Sequence, residues 1–129
     1  MSDTKLKLEK VNITLDSKVV LDNVNLEVND GDIVSLMGSS ASGKTSLIRS
    51  IAGFHNITSG SIYIDEKIVD DSKKREDVSK RNVGVIFQDL ALFPHLTVRE
   101  NICFGLNTLS KKQQFDRADK LEKLSLIHI

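Results

Sequence analysis

The chain has 129 residues, 40% hydrophobic and 28% charged, with eighteen basic side chains balanced by eighteen acidic ones. That length suits one domain or part of a larger one, and the composition is that of an ordinary soluble globular protein. The charge balance argues against a nucleic-acid groove. One cysteine, Cys103, excludes an internal disulfide framework and fits a reducing compartment, and no stretch reads as a signal peptide or a membrane span.

Leu6 and Leu8, then Val11 and Ile13, alternate well enough for an opening strand, and Val24, Leu26 and Val28 alternate again in a second. Asp30-Gly31 reads as a turn. Ile33 to Met37 is a short apolar run of the kind that forms a buried parallel strand. Leu47, Ile48 and Ile51 share one helical face, and Gly53 stands where a helix stops. SGSIYIDEKIVD reads as a hairpin, with Glu66 at a turn position that prefers glycine.

The charged stretch from Asp70 to Arg81 contains little to bury and reads as loop or solvated helix. Val83 to Phe87 is a second buried-strand candidate, closed by Gln88. Val98 to Phe104 reads as a short helix, with Thr97 as its cap and Glu100 at the matching third position. The segment SKKQQFDRADKLEKLSL places Phe115, Ala118, Leu121 and Leu124 at helical spacing, and Ser110 with Gln113 forms its capping box.

The chemistry centres on GSSASGKT, Gly38 to Thr45, which satisfies the pattern G-x-x-x-x-G-K-S/T in full. Glycines let the backbone fold tightly and turn its N–H groups inward at a helix N-terminus, where the dipole also favours anions. Lys44 can reach the β- and γ-phosphates of a nucleotide, and the Thr45 hydroxyl can ligate Mg²⁺. An apolar run precedes the loop and an amphipathic helix follows it, as the pattern requires. Nucleoside triphosphate binding is the inference.

Two longer stretches then carry a resemblance. DGDIVSLMGSSASGKTSLIRSIAGFHNITSGSIYIDEK is similar to the first half of an ABC-transporter ATP-binding subunit, and VGVIFQDLALFPHLTVRENICFGL resembles the segment holding that family's Q-loop. The likeness runs through nearly the whole chain from about Leu6, and importer ATPases serving iron(III), polyamines, thiamine or sugars carry text similar to FPHLTVRENI. It implies an α/β fold, a P-loop NTPase core of ABC type with an N-terminal antiparallel β subdomain, incomplete at the C-terminus. Residues 1–129 would form part of one nucleotide-binding domain, with the helical subdomain starting from about 98.

By resemblance, Ser39, Ser40, Ala41, Ser42, Gly43, Lys44 and Thr45, entered from Gly38, would wrap the phosphates of ATP. Gln88 would approach Mg²⁺ and the attacking water, so Lys44 and Gln88 stand as catalytic candidates and Thr45 and Gln88 as metal candidates. Leu92, Phe93, Pro94 and His95 would face a transmembrane permease subunit. Leu15 occupies about the position where the family places an aromatic residue against adenine, and lacks its stacking contribution. A second ATP-binding subunit would complete a head-to-tail dimer on the cytoplasmic face of the membrane.

Several features imitate other family parts. Asp65-Glu66 resembles the acidic end of the family's catalytic strand, but the surrounding alternation favours a hairpin. LSKKQQ resembles the family's signature, yet Lys111 and Lys112 replace the glycines that permit close backbone approach to phosphate. His55, His95 and His128 lack metal-spaced partners and read as loop residues, and Cys103 reads as a buried small hydrophobe. Neither the Asp-Glu strand nor the signature is found, so negligible hydrolysis by this chain alone is expected. A non-catalytic nucleotide-binding or regulatory module is the alternative, and a small P-loop kinase is disfavoured because no lid pattern surrounds Arg75 and Arg81.

Overall fold

In a computed structural model of the chain, residues 3–125 are described. Two compact units divide it, Met1–Val85 and Ile86–Ile129.

The first unit is built on a four-stranded antiparallel sheet in the order β2-β1-β3-β4, with β1 at Thr4–Leu15, β2 at Lys18–Asn29, β3 at Ser59–Ile64 and β4 at Lys67–Asp70. Strands β1 and β2 form a long hairpin whose turn, Asp16 and Ser17, has φ of 47° and 62°. That pair of left-handed conformations matches the twist of the flanking strands.

The apolar positions of β1 change parity between Leu8 and Val11, though both are buried. An irregularity in the ladder absorbs the extra residue: Lys10 adopts φ 47°, and its backbone N–H donates to the Asn25 side chain at 2.9 Å. Strand β2 shifts in the same way between Leu21 and Val24, where Asn23 has φ 50° and donates its backbone N–H to Asn12 Oδ1. Bulges of this kind return each apolar set to the core face.

Helix α1, Lys44–Ala52, ends at Gly53, whose φ of 97° is a left-handed C-terminal stop. The core joins the sheet to the helix through Leu8, Ile13, Leu21, Leu47, Ile57 and Ile62. Each fully buried aliphatic side chain of this sort contributes about 1.5–3 kcal/mol. The expected turn at Asp30-Gly31 and the β3–β4 hairpin are both present. Asp65 and Glu66 make the two-residue turn at φ 50° and 63°, a backbone region where Glu66 carries the strain that glycine would avoid.

Two expectations fail. Ile33 to Met37 and Val83 to Phe87 form no strand among the described residues. Ile33 is fully exposed, as nearly are Met37 and Ile86. A parallel strand is held by ladders on its flanks, and no described residue supplies those ladders here. Val83, Val85 and Phe87 remain half-buried between exposed neighbours, the two-residue period of an extended chain.

The Asp70–Arg81 stretch is also less solvated than its composition suggests. It holds a short 3₁₀ turn at Val78–Lys80, and Asp70 and Arg81 are both buried.

The second unit carries α2 at Val98–Cys103 and α3 at Lys111–Leu124. Both capping boxes form: Thr97 with Glu100, and Ser110 with Gln113. Arg99 ties the helices by reaching Asp119 at 2.7 Å and Glu122 at 3.3 Å. Ala118 is fully buried while Phe115, Leu121 and Leu124 are exposed. Cys103 is half-buried instead of buried, because α2 is short and its thiol lies at its edge, 3.6 Å from the Gln114 carbonyl oxygen. Among the described residues no helix is long and apolar enough to cross a membrane.

Candidate functional site: a phosphate loop on an uncapped helix

The loop from Gly38 to Gly43 leads into the first turn of α1, and every residue from Gly38 to Ser42 is exposed. Ala41 (φ 63°) and Gly43 (φ 95°) take left-handed conformations, and Ser42 donates its backbone N–H to the Ser39 carbonyl at 3.2 Å. Gly43 is required twice over. Besides its φ, a Cβ there would stand 2.6 Å from Leu21 Cδ2 and 2.9 Å from the Val20 carbonyl oxygen. The loop therefore rests directly on β2 at a point where no side chain fits.

The N-terminus of α1 is electrostatically open. Gly43 offers no side-chain cap and the first turn holds no acidic residue. Its leading N–H groups have no intrahelical acceptor and lie at the positive end of the helix dipole. Lys44 curls back over the loop, its Nζ donating to Gly38 O at 2.8 Å, Ser39 O at 2.6 Å and Ser42 Oγ at 3.0 Å. One exposed loop thus carries a cation and leads into an uncapped helix N-terminus, a donor set that fits a polyphosphate chain.

Thr45 follows Lys44 on the first turn and is exposed. Leu15 closes β1, opposite Lys18, and is 37% exposed. Gln88 lies in the second unit, exposed, at the start of a turn in which Leu90 donates its backbone N–H to the Phe87 carbonyl at 3.1 Å. Asp65 lies in its hairpin turn, paired with Lys5 at 2.6 Å. His55 is half-buried, His95 is exposed and 5.9 Å from the Phe93 ring centroid, and His128 is outside the described residues. Among the described residues no group of three or more His, Cys, Asp or Glu could hold a metal unaided.

Leu92, Phe93 and Pro94 line an apolar groove of about 880 Å³ within the second unit, with Ile102, Phe104 and Leu121 among its other walls. Phe93 and Phe104 stack at 4.3 Å between centroids. The loop shape is held by Asn101, which the sequence reading overlooked. Its Oδ1 accepts the Phe93 N–H at 2.9 Å, and its Nδ2 is within 3.2 Å of the Phe93, Leu96 and Thr97 carbonyls. An asparagine inside a short helix is a weak helix former, which was the one available signal. The Asp70–Arg81 pair was also overlooked, and charged residues without a period carried no signal for it.

Fold and loop together define an α/β phosphate-loop cassette carrying an antiparallel β subdomain. A solved ATP-binding cassette, a dimer in a post-hydrolysis state with ADP and Pi, shares the fold at a TM-score of 0.79 and 29% identity, covering 95% of this chain and 58% of that one. The ABC transporter family model matches residues 21–129, and the chain belongs to that family.

Among curated relatives, the Fe(3+) ions import ATP-binding protein of Fusobacterium nucleatum is 39% identical over 95% of this chain and 32% of its own length. The maltose/maltodextrin import ATP-binding protein of Escherichia coli is 38% identical over 96% of this chain and 33% of its own. The chain thus spans about a third of the length of these relatives.

Proposed function

We propose that this chain is the nucleotide-binding portion of an importer-type ABC ATPase, and that Gly38 to Thr45 hold the phosphates of MgATP. The observation that carries the reading is an uncapped α1 N-terminus entered from a loop over which the Lys44 ammonium is folded. When a triphosphate enters, its oxygens replace the Gly38 and Ser39 carbonyls as partners of Lys44, and the loop amides from Ser39 onward donate to the same anion. Thr45 would offer its hydroxyl to Mg²⁺, a hard cation that takes oxygen ligands. Gln88 is assigned to the metal and the attacking water, and Leu15 to one face of the base, where it covers without aromatic stacking.

Binding is assigned to Gly38 to Thr45, and negligible turnover is expected of this chain alone. Asp65 and Glu66 close a hairpin, and Lys111 and Lys112 open α3, so neither pair is given a part in hydrolysis. On this reading the chain comprises a β subdomain with the phosphate-loop core and, from about 98, the start of a helical subdomain. The whole protein would pair head to tail with a second ATP-binding subunit on the cytoplasmic membrane face and drive solute import through a permease. The apolar groove beside Leu92, Phe93 and Pro94 supports a permease-facing role for that loop, since a stacked aromatic pair beside an open apolar wall suits a docked helix.

Titration calorimetry of the folded chain with ATP, with and without Mg²⁺, tests the proposal. Magnesium-dependent binding that Lys44→Ala abolishes is expected, and a folded wild-type chain giving no heat with ATP would overturn it.

A further inference from the structure

The end of α1 opposite the phosphate loop is held by a buried charge cluster. Asp70, the last residue of β4, is fully buried, and its Oδ1 accepts the Ser72 N–H at 2.8 Å. Its Oδ2 has no hydrogen-bond partner among the described residues and lies 3.6 Å from Arg75 Nε and 3.8 Å from Arg81 Nη2. Arg81, 3% exposed, donates from Nε to the Glu76 carbonyl at 3.0 Å and from Nη1 to the Ser50 and Ile51 carbonyls at 2.9 and 3.2 Å. Burial lowers its pKa, opposed by the Asp70 charge, and the guanidinium remains a cation.

Ser50 and Ile51 stand in the last turn of α1, where carbonyls lack intrahelical donors and the dipole favours a cation. Gly53 makes room for this: a Cβ there would lie 2.9 Å from Arg81 Nε. The helix has nine residues and is about 13 Å long at ~1.5 Å per residue. So short a helix owes its seating to tertiary contacts. Leu47 and Ala52 supply its buried apolar ones, while Ile48 faces solvent. With so few anchors, fixing the C-terminal end fixes the direction of the N-terminal end.

We infer that Arg81, anchored on Asp70, is a positioning residue for the phosphate loop: it holds the C-terminal turn of α1 against β4 so that the first-turn amides, Lys44 and Thr45 keep the geometry that receives a polyphosphate. The inference rests on the nucleotide-binding reading. It adds a residue that touches no nucleotide and acts through the length of the helix. A lysine cannot replace the fork, because one ammonium on a flexible stem does not reach both helix carbonyls, Glu76 O and the carboxylate together.

The test uses the full chain in two variants. Asp70→Asn with Arg81→Met removes both charges together, so no lone charge stays buried. Arg81→Lys keeps the cation and loses the fork. Each is read by circular dichroism, by amide exchange across 44–52 without ligand, and by calorimetry with MgATP. Folded variants that bind MgATP at least tenfold more weakly, with faster exchange in α1 and unchanged protection in β1 and β3, are expected. Affinity within twofold of wild type in either folded variant overturns the role, as does unchanged α1 exchange. If the double variant does not fold, Arg81→Lys decides by the same readouts. A wild-type chain that binds no MgATP sinks the nucleotide reading and this role together, whereas full binding retained in the variants sinks this role alone.

Discussion

The Lys44 ammonium lies 2.6 Å from the Ser39 carbonyl oxygen, so the loop closes upon its own cation. These are exposed hydrogen bonds, and breaking them in exchange for phosphate oxygens costs little, because charge-assisted contacts to an anion are the stronger kind. Lys44→Ala is expected to abolish MgATP binding while shifting unfolding stability by less than about 1 kcal/mol. Calorimetry and chemical denaturation measure the two effects separately. A large loss of stability would mean that the lysine is mainly structural.

Gly43→Ala should act the other way. Its φ of 95° and the 2.6 Å approach of a new Cβ to Leu21 Cδ2 combine strain with overpacking. A destabilisation of about 2–4 kcal/mol is expected from the two effects together. A urea midpoint equal to wild type would show that the loop does not rest on β2 as described.

Acid should loosen the start of α2. Glu100 accepts the Thr97 backbone N–H at 2.7 Å, and that bond, with a smaller contribution from the Thr97 side chain, holds its pKa below the usual glutamate value. A depressed carboxylate stabilises the fold above its unfolded value of about 4.3, and the contribution disappears as pH falls through the lower folded value. An NMR titration should give Glu100 a midpoint below that of a peptide glutamate, with Thr97 amide protection lost over the same range. Glu100→Gln should remove that pH dependence. A Glu100 midpoint at or above the peptide value would contradict the capping box.

The exposed apolar positions should govern solution behaviour more than stability. Ile33 is 100% exposed, Ile86 93% and Met37 91%. Replacing all three by serine is expected to leave the unfolding free energy within about 0.5 kcal/mol per site, since no core contact is lost. Light scattering should at the same time show less self-association, because exposed apolar side chains drive association. A clear loss of stability would show that those side chains pack against apolar neighbours.

What could be read from residues alone was local. Both capping boxes, the β3–β4 turn, the Gly53 stop and the phosphate-loop pattern each depend on groups within a few positions of one another, so their geometry is set by short-range sterics and hydrogen bonds. Tertiary structure decided the rest. Ile33–Met37 and Val83–Phe87 have strand-like composition, but a strand exists only where another backbone completes its ladder. The bulges at Lys10 and Asn23 follow from the need to keep Leu8, Val11, Leu21 and Val24 on one core face. Arg81 and Asp70 read as surface charges until the fold buries them against the end of α1, because burial is a property of neighbours distant in the chain and not of residue type.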